Sequence, residues 1–194
     1  DIGGHMHGNA DPERTERWIQ LGVFLPVLRL HSSLNVFIEK EPWAFSPETA
    51  ERMKRFLRLR PRLVPWLYTQ NLLCSAEGKM MLRPLYFDHP GDWSLYGENR
   101  NQYLLGEGVT VIPVTEPMNP ETGLAAAEAY LPEGLWTDFF TGRRYRGGRR
   151  LKMYRGMESL PVLVRAGTML PLDGAGVPAN GAPPAENPAS PPAE

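Results

Sequence analysis

The stretch DPERTERWIQLGVFLPVLRLH, residues 11–31, sets the grammar of the first part of the chain. Asp11-Pro12-Glu13 is a helix start, with an N-cap aspartate, proline at the first helical position and acid in the first turn. Trp18, Leu21 and Phe24 follow at helical spacing, and Pro26 closes the helix. Val27 to His31 is a short apolar run that suits a buried strand. Ser46-Pro47-Glu48 repeats the helix-start chemistry. Ala50, Met53, Phe56 and Leu57 then mark one face, with Glu51, Arg52, Lys54 and Arg55 mostly on the other. Pro61 and Pro65 are expected to kink or split the helix running toward Thr69. Alternating strand and helix is the pattern of parallel βα units, so residues 1–76 read as α/β.

Outward from there the grammar changes. Short apolar runs appear at Leu82 to Phe87, Gln102 to Leu105, Thr110 to Val114, Ala127 to Leu131, Leu135 to Phe140 and Pro161 to Arg165. Turn residues separate them, including His89-Pro90-Gly91-Asp92, Pro132-Glu133-Gly134, Thr141-Gly142 and Gly147-Gly148. Residues 77–172 therefore read as all-β, an antiparallel β-sandwich. Residues 173–194, almost entirely Ala, Pro, Gly, Asn and Glu, cannot bury enough surface to offset ordering entropy and are expected to be disordered.

Composition narrows the function classes. A net charge of −1 gives no global field toward nucleic acid or an anionic membrane. The local cluster Arg143, Arg144, Arg146, Arg149 and Arg150 reads as a solvated hairpin turn. No apolar run approaches the about 20 residues that span a bilayer. The single cysteine, Cys74, excludes an internal disulfide and sits among apolar neighbours as a small core residue. Phosphate-loop and serine-elbow motifs are absent. No cofactor is expected, and neither partner nucleic acid nor membrane.

Candidate site residues are few. His5-Met6-His7 has a spacing that suits a strand and lacks an evident third metal ligand. His31 ends the apolar run after Arg29, where ligand-binding residues gather in parallel sheets; a hydrogen-bonded structural histidine is the other reading. Asp1-Ile2-Gly3-Gly4 is an acid followed by glycines that permit a sharp turn. Glu13, Glu16, Glu39 and Glu41 look like surface acids, so no pair of catalytic carboxylates stands out. Bare residues point to a site at Asp1 and His31.

Longer blocks go further. Asp1 to Gly4, Arg17-Trp18-Ile19-Gln20-Leu21-Gly22, Phe24-Leu25-Pro26 and Arg29-Leu30-His31 resemble a block of glycoside hydrolase family 31. The resemblance continues in Glu41-Pro42-Trp43, Leu63 to Thr69, Arg83-Pro84-Leu85, Gln102 to Gly106, Tyr130 to Asp138 and Glu158 to Gly167, in the family's order across residues 1–172. It implies the last two βα units of a (β/α)8 barrel in residues 1–76, followed by a proximal C-terminal sandwich. It further implies a retaining mechanism with an aspartate nucleophile and an aspartate acid/base, both preceding the Asp-Ile-Gly-Gly motif and so expected upstream of this chain. No catalytic residue is assigned within it. Asp1 and His31 match sugar-binding positions, with Arg29 as the orienting partner of either. His5 stands where the family usually has an aromatic, which weakens stacking on the sugar, and Pro61 also replaces an aromatic.

The function this implies is a portion of an α-glucosidase- or α-xylosidase-like hydrolase acting on an α-linked oligosaccharide or glycoside. The remainder of the barrel is its partner within the parent chain. Two alternatives stand beside it: an α-glucan lyase or transglycosylase on the same scaffold, and a non-catalytic carbohydrate-binding or interaction module using Trp43, Trp66, Trp93 and Trp136. An incomplete barrel is expected to leave residues 1–76 loosely packed while residues 79–172 fold alone.

Overall fold

A computed structural model describes residues 1–4, 10–32, 36–90 and 100–174. Helix α1 spans Pro12–Val23, and its Asp11 cap accepts the Arg14 amide at 2.9 Å. The fully buried stripe is Ile19 and Val23 together with Thr15 and Glu16; Trp18 and Leu21 are only half-buried. No basic residue occupies the last turn of α1. Its last carbonyl and those of the residues just beyond it find donors from elsewhere. Arg60 bonds Val23 O at 2.9 Å and Pro26 O at 2.7 Å, and the Tyr103 hydroxyl donates to Phe24 O at 3.0 Å.

Val27–His31 is not a full buried strand. Leu30 makes one parallel bridge to Ile2, and Val27 is 76% exposed. Two 3-10 turns, Val36–Ile38 and Pro42–Ala44, lead to helix α2, Pro47–Glu77. Ser46 caps it through the Thr49 amide at 3.3 Å, and Gly78, left-handed at φ 69°, ends it. Pro61 and Pro65 do not split this helix, which runs unbroken for 31 residues. Both prolines face solvent, while Leu59, Leu63, Trp66, Leu67 and Gln70 are buried on the opposite side. Burial of that side offsets the roughly 3 kcal/mol that an internal proline costs. No described helix is long and apolar enough to cross a membrane.

The remaining elements are antiparallel strands. Strands β1 Leu82–Pro84, β2 Tyr103–Leu105, β3 Val109–Val111, β5 Leu135–Asp138, β6 Arg144–Arg146 and β8 Val162–Arg165 form one sheet in the order β1-β2-β3-β8-β5-β6. Strands β4 Ala125–Leu131 and β7 Arg149–Arg155 form a second. A short helix, α3 at Leu85–Asp88, replaces the second half of the run read as a strand over Leu82 to Phe87.

The arginine-rich segment is not a hairpin: β6 and β7 belong to different sheets, and Gly147-Gly148 turns the chain between them. A Cβ on Gly147 would lie 1.8 Å from Pro132 O, so only glycine fits. Arg144 and Arg146 are exposed on β6, the sheet's edge strand, where charge disfavours pairing with another chain.

The sheets are joined by polar groups as well as by apolar ones. Asp138 of β5, 1% exposed, pairs with Arg155 of β7. The Gln102 amide bonds both backbone groups of Tyr130 on β4, at 2.7 and 2.8 Å. One hydrophobic cluster then runs through the whole fold, from Ile19, Phe24 and Met53 to Val111, Leu131 and Leu163. Phe24 lies edge-on to Phe139 and Phe140 at 5.9 and 6.1 Å, and Phe56 meets Phe140 at 5.7 Å. Arg17 donates to Gly156 O at 2.8 Å and Gln20 to Met157 O at 2.6 Å. The helical part and the β part thus share a core.

Candidate functional site

The only parallel bridge among the described residues positions the candidate site. Ile2 N donates to Arg29 O at 2.9 Å, and His31 N donates to Ile2 O at 3.2 Å. Ile2 is 2% exposed and packs inward. Residues on either side of a paired residue point to the other face, so Asp1, Arg29 and His31 come out together. The Arg29 guanidinium lies 2.5 Å from Asp1 Oδ1. His31 Nε2 lies 3.8 Å from the other carboxylate oxygen. Their side chains are partly open, at 37% for Asp1, 63% for Arg29 and 29% for His31. His5 lies outside the described residues, as do His7 and Trp93.

The glycines behind Asp1 serve a stated geometry. Gly3 and Gly4 have φ of 90° and 79°, a left-handed region costly for other residues. Gly4 N closes the turn on Asp1 O at 3.0 Å. The space a Gly3 side chain would fill holds the stem of Lys40, whose Cδ is 2.1 Å from the position of an added Cβ. Lys40 is 7% exposed, and its ammonium donates to Gly4 O at 3.0 Å. Burial holds its pKa below the usual lysine value, with Arg14 acting in the same direction and Glu41 against. Lys40 gave no signal in the sequence: it is one lysine between two glutamates, and only the fold brings it to the turn.

The acids considered from sequence divide. Glu16 is not a surface residue; it is 3% exposed and takes a bidentate bond from Arg52, at 2.7 and 2.8 Å. That bond is the main cause holding the Arg52 pKa above its usual range. Glu13 accepts the Met118 amide at 2.8 Å. Both are occupied in holding the fold. Of the tryptophans, Trp66 and Trp136 are core, whereas Trp43 is 80% exposed. A cleft of about 390 Å³ lies between α1 and residues 113–117, lined by Arg14, Trp18, Leu21, Pro113 and Glu116 among others; Asp1, Arg29 and His31 are not in its wall. Among the described residues no group of three side chains suits a metal ion.

A partly open carboxylate, guanidinium and imidazole offer acceptors and donors at fixed spacing, which suits a neutral polyhydroxylated ligand. Comparison with known proteins bears on what that ligand is. Residues 1–70 match the family model described as the glycosyl hydrolases family 31 TIM-barrel domain, and residues 78–170 match that of the family 31 C-terminal domain. Alpha-glucosidase 2 of Bacillus thermoamyloliquefaciens is 34% identical over 172 residues, covering 89% of this chain and 21% of that protein. An alpha-xylosidase of Saccharolobus solfataricus is 34% identical over 182 residues, 91% of this chain and 24% of the relative. The chain thus spans between a fifth and a quarter of these relatives. Among solved structures, the cycloalternan-forming enzyme of Listeria monocytogenes, in complex with a pentasaccharide substrate, superposes with a TM-score of 0.76 at 26% identity. That match covers 89% of this chain and 16% of the other.

Proposed function

This chain belongs to glycoside hydrolase family 31, and from that membership we propose that it forms part of the sugar pocket of a retaining α-glycoside hydrolase of the α-glucosidase or α-xylosidase type. The observation that carries the reading is the cluster of Asp1, Arg29 and His31 across the Ile2–Leu30 bridge. In this reading Asp1 accepts hydrogen bonds from sugar hydroxyls, Arg29 fixes its carboxylate, and His31 bonds a hydroxyl of the sugar being cleaved. Such contacts lower the barrier when they tighten at the oxocarbenium-like transition state. The nucleophile and the acid/base are aspartates supplied by residues that precede Asp1 in the intact enzyme.

The organisation follows from the same reading. Residues 1–76 are the last two βα units of a (β/α)8 barrel and residues 77–172 a proximal β-sandwich; the tail expected over residues 173–194 lies, beyond Gly174, outside the described residues. The partner of the first part is the rest of the barrel, and the ligand is an α-linked oligosaccharide or glycoside. The names of the relatives do not favour a non-catalytic carbohydrate-binding module. Glycosyl transfer remains a second reading, supported by a structural relative named for forming cycloalternan.

The test is turnover by the full-length gene product of aryl α-glucoside and aryl α-xyloside, with proton NMR following the anomer released. Release of the α-anomer is expected, and His31→Ala should lower kcat/KM about a hundredfold. Absence of turnover on both glycosides, or wild-type kcat/KM in His31→Ala, would overturn the reading. Oligosaccharide products in place of free sugar would select the transfer reading.

A further inference from the structure

We infer that Lys40 is a positioning residue of the sugar pocket: its ammonium, bonded to the Gly4 carbonyl, holds the turn of residues 1–4 and with it the Asp1 carboxylate at its spacing from Arg29 and His31. The inference rests on the proposed sugar-pocket function.

The argument starts from the turn. Two consecutive glycines with positive φ have no side chains to lock them, and glycine loses the most backbone freedom on ordering. The bridge at Ile2 anchors one end of the turn, and the Gly4 N to Asp1 O bond closes it. Neither fixes where the Gly4 carbonyl points. Lys40 does, at 3.0 Å, from a stem laid across the bare face of Gly3.

The burial of Lys40 is otherwise hard to account for. A buried ammonium costs free energy, and the fall in the Lys40 pKa registers that cost. Packing alone would be met by a methionine of similar length. The ammonium must therefore do something that an apolar group does not. Its bond goes to the backbone of the turn that carries Asp1, with Arg14 and Glu41 as the charged groups that act on it. Lys40 itself does not touch the ligand in this arrangement. It acts through the turn.

The experiment compares the wild-type full-length gene product with Lys40→Met and Lys40→Arg. kcat/KM is measured per competent site, counted with a mechanism-based inactivator, and His31 imidazole resonances are followed by NMR. Lys40→Met should lower kcat/KM ten- to a hundredfold, since displacement of a binding group by about 1 Å costs that much. The His31 resonances should shift, and Lys40→Arg should restore both readouts to near wild type. A purely structural role would reduce the number of competent sites and leave kcat/KM per site unchanged, and that result overturns the inference. So does a Lys40→Arg variant no better than Lys40→Met. Should Lys40→Met fail to fold, Gly3→Ala drives the turn off the Lys40 stem; the same losses are expected, and wild-type behaviour overturns. If the wild-type protein turns over no glycoside, the functional reading fails separately. The His31 resonances then decide for Lys40, and unmoved resonances overturn it.

Discussion

Arg29 Nη2 and Asp1 Oδ1 lie 2.5 Å apart, joined across the parallel bridge that pairs Ile2 with Leu30. The two residues are 28 positions apart in the chain, and helix α1 lies between them. Their side chains are open enough that the pair adds little to stability; exposed ion pairs contribute at most about 1 kcal/mol. In the proposed pocket its value lies in orienting the carboxylate.

Arg29→Lys tests that role. Lysine keeps the charge but loses the planar fork, so the carboxylate is held less firmly. In the full-length gene product kcat/KM is expected to fall about tenfold with the melting temperature nearly unchanged. Wild-type kinetics from this variant would remove Arg29 from the site.

Phe24 tests the shared core. It is 2% exposed and meets Phe139 and Phe140 edge-on, so it joins α1 to the β part. Phe24→Ala is expected to cost about 3–5 kcal/mol, measured by urea denaturation. The continuous cluster also argues for one unfolding transition, in place of the loosely packed first part expected from sequence. Far-UV circular dichroism follows the helices, fluorescence of a variant keeping Trp136 as its single tryptophan follows the β part, and the two should melt together.

Glu16 and Arg52 form a bidentate pair between α1 and α2, with Glu16 3% exposed. Arg52→Ala leaves a buried carboxylate without its partner. About 2–3 kcal/mol of destabilisation is expected, with recovery of most of it when Glu16 is also changed to Gln. Denaturation of the two single variants and the double variant supplies the cycle. Simple additivity would mean that the pair is not coupled.

Thr110 lies fully buried in β3, and its hydroxyl has no hydrogen-bond partner in the described structure. Valine has nearly the same shape without the polar oxygen. Thr110→Val is expected to stabilise the protein by up to about 1 kcal/mol, read as a higher urea midpoint at unchanged slope. A lower midpoint would mean that the hydroxyl is bonded in solution.

Much of the fold was legible because it rests on local chemistry. The caps at Asp11 and Ser46 lie where their residue types require, and each side chain bonds an amide three residues on. The apolar runs around Leu104, Val111, Leu131 and Val164 are strands because hydrophobic residues bounded by turns have few other ways to be buried. Strand β6 and the first residues of β7, Arg149 and Arg150, were harder. Their arginines carry no apolar alternation, so they read as a solvated turn, and their division between two sheets is invisible in a linear pattern.

The sequence by itself determined the family, the two capped helices and the strands around Leu104, Val111, Leu131 and Val164, and it marked Asp1, Arg29 and His31 as the residues to watch. Those signals are short-range or are carried by ordered blocks of residues. Tertiary structure alone decided that α2 runs through Pro61 and Pro65, because burial of the opposite face outweighs a local penalty. It alone decided that Glu16 is buried and paired, that Arg60 caps a helix other than its own, and that Lys40 reaches the Gly4 carbonyl. Each of these depends on groups more than 30 residues apart meeting in space. Propensity and periodicity do not encode such meetings, which arise only when the helices and sheets close on a shared core.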